Sequence, residues 1–255
     1  MITSKTNKIC KLVNSLKMKK YRVECQQFLV EGTSSVHDAL VAHANVEFVC
    51  INENYTHGED FGHVPVYQVK DEIFASMSCT KNPQGILACV TMQRQEIPEK
   101  NDGFYLFCDE VNDPGNAGTI IRTADACGCD AVLFSENCVD IYSDKTIRAS
   151  MGSFFHLPVL DNVPKEWLCD MKNKGYRVAG GILDEDSLDY TEADLVSPII
   201  LVVGNEANGI SDAVKQMCTQ KVIIPIFGKA ESLNVSIAAA LLCYEVRRRQ
   251  GSIDR

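Results

Sequence analysis

Three runs in the second half of the chain, Phe104 to Cys108, Ala131 to Phe134 and Ile199 to Val203, are apolar at every position. A strand exposed on one face alternates apolar and polar residues. A run apolar throughout, four or five residues long, reads as a strand covered on both faces, as in a parallel sheet with helices on either side. Arg177 to Ala179 and Val222 to Ile226 extend the series. Two stretches read as helices, Thr119 to Cys127 and Val235 to Arg249. The second has Ile237, Ala238, Leu241, Leu242 and Tyr244 to Val246 as its apolar face and Arg247, Arg248 and Arg249 in its last turn. This region, 104–255, is read as an α/β domain.

The first region, 1–95, differs. Gln27 to Gly32 reads as a short strand ending at a glycine turn, and Ser34 to Ala42 as a helix with Val36, Leu40 and Val41 apolar. Val46 to Ile51, Val64 to Val69 and Ile86 to Val90 read as further strands. That alternation predicts a small α/β domain. The polar stretch from Gln93 to Gly103 has no apolar periodicity, and its core, 96–103, reads as a linker.

With 255 residues, 45% hydrophobic, the chain is long enough to bury a sizeable core. No run approaches the roughly 18 apolar residues of a membrane span, and 1–20 is polar and basic, unlike a secretory signal. A cytoplasmic protein with no membrane partner is expected. Twelve cysteines are scattered, mostly in apolar runs, with no C-x-x-C pair and no histidine at zinc spacing, so reduced buried thiols and no metal are expected. The net charge is −9, yet 1–23 carries seven basic residues (Lys5, Lys8, Lys11, Lys17, Lys19, Lys20, Arg22) and no acid. Such an arm can neutralise phosphates while the body stays acidic; a solvated helix end reads equally well.

Three segments carry the chemistry. Asn112-Asp-Pro-Gly-Asn116-Ala-Gly118-Thr-Ile-Ile-Arg122-Thr-Ala124 follows the Phe104 strand and opens a helix. Pro114, Gly115 and Gly118 read as a tight turn whose N–H groups face a ligand. Asn116 and Arg122 are six apart and converge only if Asn116 lies in the loop. A capped helix with a surface arginine reads equally from this segment. In Leu201-Val-Val-Gly204-Asn205-Glu206-Ala-Asn-Gly209, a buried strand ends at Gly204 and places Glu206 beyond its carboxyl end, where ligands bind in open α/β sheets; a plain strand-to-helix loop is the alternative. In Ile224-Pro-Ile226-Phe-Gly228-Lys-Ala-Glu-Ser232-Leu233-Asn234-Val-Ser236, a strand and glycine loop enter the last helix. Ser232 or Asn234 could simply cap it, but capping needs one such residue and the run offers three. No G-x-G-x-x-G follows a strand and no P-loop is present, which disfavours a dinucleotide oxidoreductase.

In order and position, N-x-G-x-x-x-R-x-A, G-N-E-x-x-G and I-P-x-x-G-x-x-x-S-L-N-V-S-x-A, from Asn116 to Ala238, resemble the three signature motifs of the SpoU (TrmH-type) RNA methyltransferases of the SPOUT superfamily. Asn205 departs, at a position where relatives carry various small and polar residues. The amino-terminal region, through Lys19-Lys20-Tyr21-Arg22 and Phe28-Leu29-Val30-Glu31-Gly32, resembles the family's RNA-binding domain, itself like a ribosomal protein. The resemblance implies a carboxyl-terminal domain with a parallel sheet and a deep trefoil knot, which periodicity could not have shown. It implies S-adenosylmethionine as cofactor, an obligate homodimer and 2′-O-methylation of RNA, ribosomal RNA ahead of transfer RNA, with a catalytically inactive RNA-binding relative as a third possibility. Carried over by position, the backbone around Val203, Gly204, Ile224, Ile226 and Leu233 holds the cofactor. Arg122 is the catalytic arginine, and Asn116, Glu206, Ser232 and Asn234 line the transfer site.

Overall fold

The computed structural model of the chain describes residues 1–56, 58 and 60–251. The last four residues of the region read as 104–255 lie outside the described residues. Two compact units are present, 1–94 with 140–156 and 95–139 with 157–255.

The first unit opens with α1 (Lys8–Leu16) and α2 (Lys19–Cys25), where the sequence read equally as a basic arm or a solvated helix end. Asn7 caps α1 by accepting from Ile9 N over 2.8 Å, and Cys10, Val13 and Leu16, one turn apart, are its buried stripe. The chain continues through β1 (Gln27–Glu31), α3 (Thr33–Val41), β2 (Val46–Asn52), β3 (Val66–Val69), α4 (Asp71–Met77) and β4 (Ile86–Thr91). The sheet order is β1-β4-β2-β3, with β2 and β3 parallel and the other pairs antiparallel. Of the residues expected on the apolar face of α3, Val36 is buried, with Ser35 and Ala39 beside it, while Val41 is exposed.

Alternation along β1 divides its side chains between two faces. Leu29 joins Val13 and Leu16 of α1 and Phe74 and Met77 of α4 in one core. Phe28 meets Tyr142, Phe154 and Phe155 at ring-centroid distances of 5.1 to 6.4 Å. Burying such a ring contributes about 1.5–3 kcal/mol. Those three partners belong to 140–156, a segment between the second and third strands of the other unit that nothing in the sequence separates from its neighbours.

That segment bears on the basic stretch. Arg22 is buried, with an ion pair to Asp140 and a hydrogen bond to the Leu16 carbonyl. Lys17 donates to the carbonyls of Ser76 and Ser78, each over 3.0 Å. Two of the seven cations therefore hold the fold together. Lys5, Lys8, Lys11, Lys19 and Lys20 are exposed.

The second unit contains β5 (Phe104–Cys108), α5 (Pro114–Ala126), β6 (Ala131–Ser135), then, after α6 (Asp144–Ala149) of the first unit, β7 (Val159–Val163), α7 (Trp167–Asn173) and β8 (Arg177–Gly181). It ends with β9 (Leu188–Asp189), β10 (Ile199–Val203), α8 (Asp212–Met217), β11 (Gln220–Ile223) and α9 (Val235–Gln250). All seven strands pair in parallel, in the order β7-β6-β5-β10-β8-β11-β9. The three apolar runs are β5, β6 and β10, buried at every position as a doubly covered sheet requires. Tyr105, Phe107, Ile200 and Val202 share a core with Leu168 and Met171 of α7 and Val214 of α8. On the opposite face α9 packs on α5 and β10. In an ordinary doubly wound sheet successive strands move outward in turn. Here β8 and β10 have exchanged places, so the path from β10 to β11 must pass β8.

Residues 95–100 are fastened to this unit. Gln95 Oε1 accepts from Val159 N over 2.6 Å, and the carbonyls of Pro98 and Lys100 accept from Tyr105 and Tyr176. All twelve cysteines are free, most of them buried or half-buried, and Cys25 is exposed. No helix among the described residues is long and apolar enough to cross a membrane.

Candidate active site

The first segment is helical earlier than its sequence suggests. Pro114, expected in a turn, is the first residue of α5, and Asp113 caps the helix by accepting from Asn116 N over 2.8 Å. Proline fits there because its φ is preset and its missing N–H has no intrahelical role. Asn116 is therefore in the first turn of the helix, not in a loop before it. At about 100° per residue, Arg122 lies about 240° round the helix from Asn116, so the two do not share a face.

The second segment leaves β10 beside β5: Val203 is in register with Cys108, and Asp109 N donates to the Val203 carbonyl over 2.8 Å. The loops after β5 and β10 thus start side by side at the carboxyl end of the sheet, as expected for a ligand crevice. Asn205 and Gly209 exchange two backbone hydrogen bonds of 2.9 Å, and Asn205 Oδ1 accepts from Ala207 N and Asn208 N inside the turn they close. A Cβ at Gly204 would lie 2.2 to 2.4 Å from backbone atoms of Gly209 and Ile210. Glycine is required there by contact, and at Gly209 by its φ of +68°.

The third segment departs from expectation at β11, which ends at Ile223. Ile224, Pro225 and Ile226 lie beyond it, Pro225 having no N–H for a ladder. Residues 227–234 are exposed, and 226–233 make no backbone hydrogen bond among the described residues. Asn234 caps α9, its Oδ1 accepting from Ser236 N over 2.9 Å, Ile237 N over 3.4 Å and Ser236 Oγ over 2.6 Å.

These segments meet in one hydrogen-bonded chain. Asn234 Nδ2 donates to Asn116 Oδ1 over 2.9 Å, and Asn116 Nδ2 donates to Glu206 Oε1 over 2.9 Å. Glu206 also accepts from Asp113 N over 3.1 Å and Asn112 N over 3.2 Å. Burial pushes its carboxyl up, but the bonds from Asn116 and from its own, the Asn112 and the Asp113 backbone N–H groups outweigh this and hold it below the ordinary glutamate range. So placed, Glu206 is a fixed anion and a poor proton acceptor.

The Arg122 side chain is exposed and makes no hydrogen bond or ion pair among the described residues. Ser232 is likewise exposed and outside the chain of hydrogen bonds; Ser236, buried, is the serine that engages Asn234. Val203 and Gly204 are buried, Ile224 and Ile226 half-buried, and Leu233 is exposed.

Beneath this chain lies a group that the sequence reading missed. Asp109 is fully buried; its Oδ2 accepts from Ser211 N over 2.7 Å. Lys165 Nζ stands 3.0 Å from Asp109 Oδ1, 2.7 Å from Glu110 Oε1 and 3.0 Å from Ser211 Oγ. Burial works against its ammonium, but the Glu110 carboxylate that accepts from it and the nearby charge of Asp109 outweigh this and hold Lys165 above the ordinary lysine range. The signal for Asp109 was present, two acids directly after five apolar residues. Nothing marked Lys165, 56 and 55 positions further on, as their partner. No group of three or more histidine, cysteine, aspartate or glutamate side chains among the described residues is placed to hold a metal ion.

The chain matches two family models, the SpoU rRNA Methylase family over residues 103–244 and the MRM3-like substrate binding domain over residues 7–88. It is 33% identical over 247 residues to the 23S rRNA (guanosine(2553)-2'-O)-methyltransferase RlmP of Bacillus subtilis, covering 96% of this chain and 98% of that protein. The AdoMet-bound rRNA methyltransferase from Sinorhizobium meliloti superposes with a TM-score of 0.87 at 29% identity, covering 98% of both chains. The SpoU methyltransferase AviRb from Streptomyces viridochromogenes, in complex with AdoMet, does so with a TM-score of 0.84 at 26% identity, covering 96% of this chain and 99% of that one. With both halves matched in order, the three motifs gathered at one sheet end and a full-length relative above 30% identity, the chain belongs to the SpoU rRNA methylase family.

Proposed function

We propose that the protein methylates a ribose 2′-hydroxyl of ribosomal RNA, using S-adenosylmethionine. The observation that carries this reading is the Asn234–Asn116–Glu206 chain, which joins the three motifs at the carboxyl end of the parallel sheet. The ribosomal rather than transfer RNA reading is supported by the B. subtilis relative, named for 23S rRNA and aligned over nearly the whole chain, amino-terminal unit included.

The residues fit the cofactor. The stretch 226–233 has free backbone donors and acceptors for an adenine edge, Ile224, Ile226 and Leu233 offer apolar contact to its faces, and Gly204 leaves backbone where a side chain would stand. When bound, S-adenosylmethionine supplies a methyl group on a positively charged sulfur, open to in-line attack.

The ribose hydroxyl must lose its proton as it attacks. Glu206 cannot serve as base while it accepts several N–H bonds; it fixes the loop at Asn112 and Asp113 and the amide of Asn116. The guanidinium of Arg122 is a donor with no acceptor, and, exposed as it is, it is suited to holding an RNA phosphate and stabilising the developing alkoxide. The proton passes to that phosphate or to water. Asn116, Asn234 and Ser232 orient ribose and cofactor, and orientation of two reactants in one site is worth several kcal/mol.

The division of labour we propose is 1–95 for holding RNA, 96–103 as linker and 104–255 for methyl transfer. The exchange of β8 and β10 supports a deep trefoil knot in the latter. A homodimer is supported by Ile237, Leu241 and Tyr244, 51%, 38% and 57% exposed along one side of α9. An rRNA-modifying role and the free thiols support a cytoplasmic location.

The test is transfer from labelled cofactor to ribosomal RNA, followed by digestion to nucleosides. Label in 2′-O-methyl nucleosides of ribosomal RNA is expected. Label on a base, or transfer RNA as the better substrate, would overturn the reading.

A further inference from the structure

Lys165 belongs to none of the three motifs. It lies on the connection between β7 and α7, after Pro164 and two residues before Trp167. Trp167 fixes that connection against β5: its ring stacks on Phe107 at a centroid distance of 6.4 Å with planes 7° apart, and meets Tyr105 edge-on at 5.8 Å. Phe107 is two residues before Asp109, so the anchored helix brings the lysine to the end of β5.

There one ammonium serves three groups from two loops. Asp109 and Glu110 are the first residues out of β5; Ser211 closes the turn that begins at Gly204. Asp109 Oδ1 has no hydrogen-bond donor among the described residues, and the ammonium 3.0 Å away is its compensation. A buried carboxylate left without a cation is strongly disfavoured. Glu110 is held in a left-handed conformation, φ +57°, with its N–H donating to Ser135 Oγ and its carbonyl accepting from Asn205 Nδ2 over 2.9 Å. Gripping the Glu110 side chain thereby also grips the backbone on which Asn205, next to Glu206, hangs.

We propose that Lys165 is a positioning residue for methyl transfer: its ammonium, bridging Asp109 and Glu110 to Ser211, sets the segment from Asn112 into the first turn of α5 at Asn116 against the loop carrying Gly204 to Glu206. The proposal rests on the functional reading above, in which Asn116 orients the reactants and the backbone at Gly204 makes room for the cofactor. Each could still engage the reactants without the lysine. What is lost is their alignment, and a misplacement of about 1 Å can cost on the order of 100-fold in rate.

The test compares wild type with Lys165→Met, Asp109→Asn/Lys165→Met and Glu110→Asn in the full chain. Asparagine at 109 still accepts from Ser211 N without a charge, and asparagine at 110 tolerates the left-handed backbone but is too short to reach Lys165. Single-turnover transfer at saturating cofactor and ribosomal RNA is measured beside calorimetric cofactor affinity, melting temperature and amide exchange at 109–116 and 205–211. Lys165→Met should lose about 10- to 100-fold in rate with cofactor affinity within about threefold. The double variant should recover only part of that loss, since the uncompensated charge is gone but the bridge to Glu110 and Ser211 is not restored. Glu110→Asn should lose several-fold in rate with its melting temperature unchanged. Exchange in both loops should quicken in Lys165→Met. Wild-type rates in Lys165→Met and Glu110→Asn, or equal losses of rate and affinity that the double variant does not recover, would overturn the proposal. A wild-type protein that methylates no ribose would refute the functional reading; unchanged exchange in Lys165→Met would then refute the positioning role separately.

Discussion

Asn234 donates from Nδ2 to Asn116 Oδ1 over 2.9 Å while its own Oδ1 accepts from the first N–H groups of α9. The cap determines which end of the amide points at α5. That in turn leaves Asn116 with only its Nδ2 to offer Glu206, so one helix terminus orients two side chains on two other segments.

Asn234→Asp separates the two duties of that side chain. A carboxylate caps a helix as well as an amide does, but it cannot donate to Asn116. The variant should melt within a degree or two of wild type and lose on the order of 100-fold in transfer rate. Asn234→Ala should lose the rate and also about 1 kcal/mol of stability. Thermal melting beside single-turnover transfer checks both, and a fully active Asn234→Asp would show that the link to Asn116 is dispensable.

The pH profile follows from Glu206. A carboxyl held below its unfolded value contributes stability above that value, near pH 4.3, and loses it as pH falls through the folded value. Glu206 is therefore ionised throughout the neutral range. The transfer rate should show no limb belonging to Glu206 between about pH 6 and 9. Glu206→Gln, which sets an NH2 against N–H donors, should lower the rate at every pH without changing the shape of the profile. A limb present in wild type and absent in Glu206→Gln would make Glu206 the base.

The basic segment divides into two kinds of cation. Arg22→Leu breaks a buried pair with Asp140, whose side chains are 7% and 14% exposed. Breaking such a pair costs about 3–5 kcal/mol, so the melting temperature should fall by roughly 5–10 °C. Glutamine at Lys5, Lys8, Lys11, Lys19 and Lys20 together should leave melting nearly unchanged. It should weaken RNA binding and reduce its salt slope by up to about 3.5–4.5, at roughly 0.7–0.9 per phosphate contact. An unchanged slope would mean that these lysines do no more than keep the helices soluble.

Legibility followed the strength of the local signal. β5, β6 and β10 could be read because a doubly covered strand is apolar at every position. α1 was hidden because its buried stripe is only Cys10, Val13 and Leu16 among lysines, and the charge pattern dominated. β11 was placed too late because Ile224 and Ile226 continue an apolar pattern that Pro225 interrupts. The site was legible as residue types, since Asn116, Glu206 and Asn234 stand in recognisable spacings. Its wiring was not: that Asn234 is both cap and donor, that Arg122 faces elsewhere on α5, and that Lys165 serves Asp109 all depend on contacts between residues 46 to 118 positions apart or on where a helix begins.

Arg122→Ala is the sharpest test of the proposed chemistry. The side chain is exposed and unpartnered among the described residues, so its removal should leave melting and cofactor affinity unchanged. If its guanidinium holds a phosphate and the developing alkoxide, its contribution arises mainly in the transition state, and its loss costs rate rather than ground-state binding. A loss of about 100- to 1000-fold in single-turnover transfer is expected. Arg122→Lys should recover little of it, because an ammonium cannot span two oxygens as a planar fork does. RNA affinity should fall only modestly in both variants, since one phosphate contact among several is removed. Near-normal rates in Arg122→Ala would move the task of stabilising the alkoxide to the Asn116 and Asn234 amides, the remaining donors in the cluster.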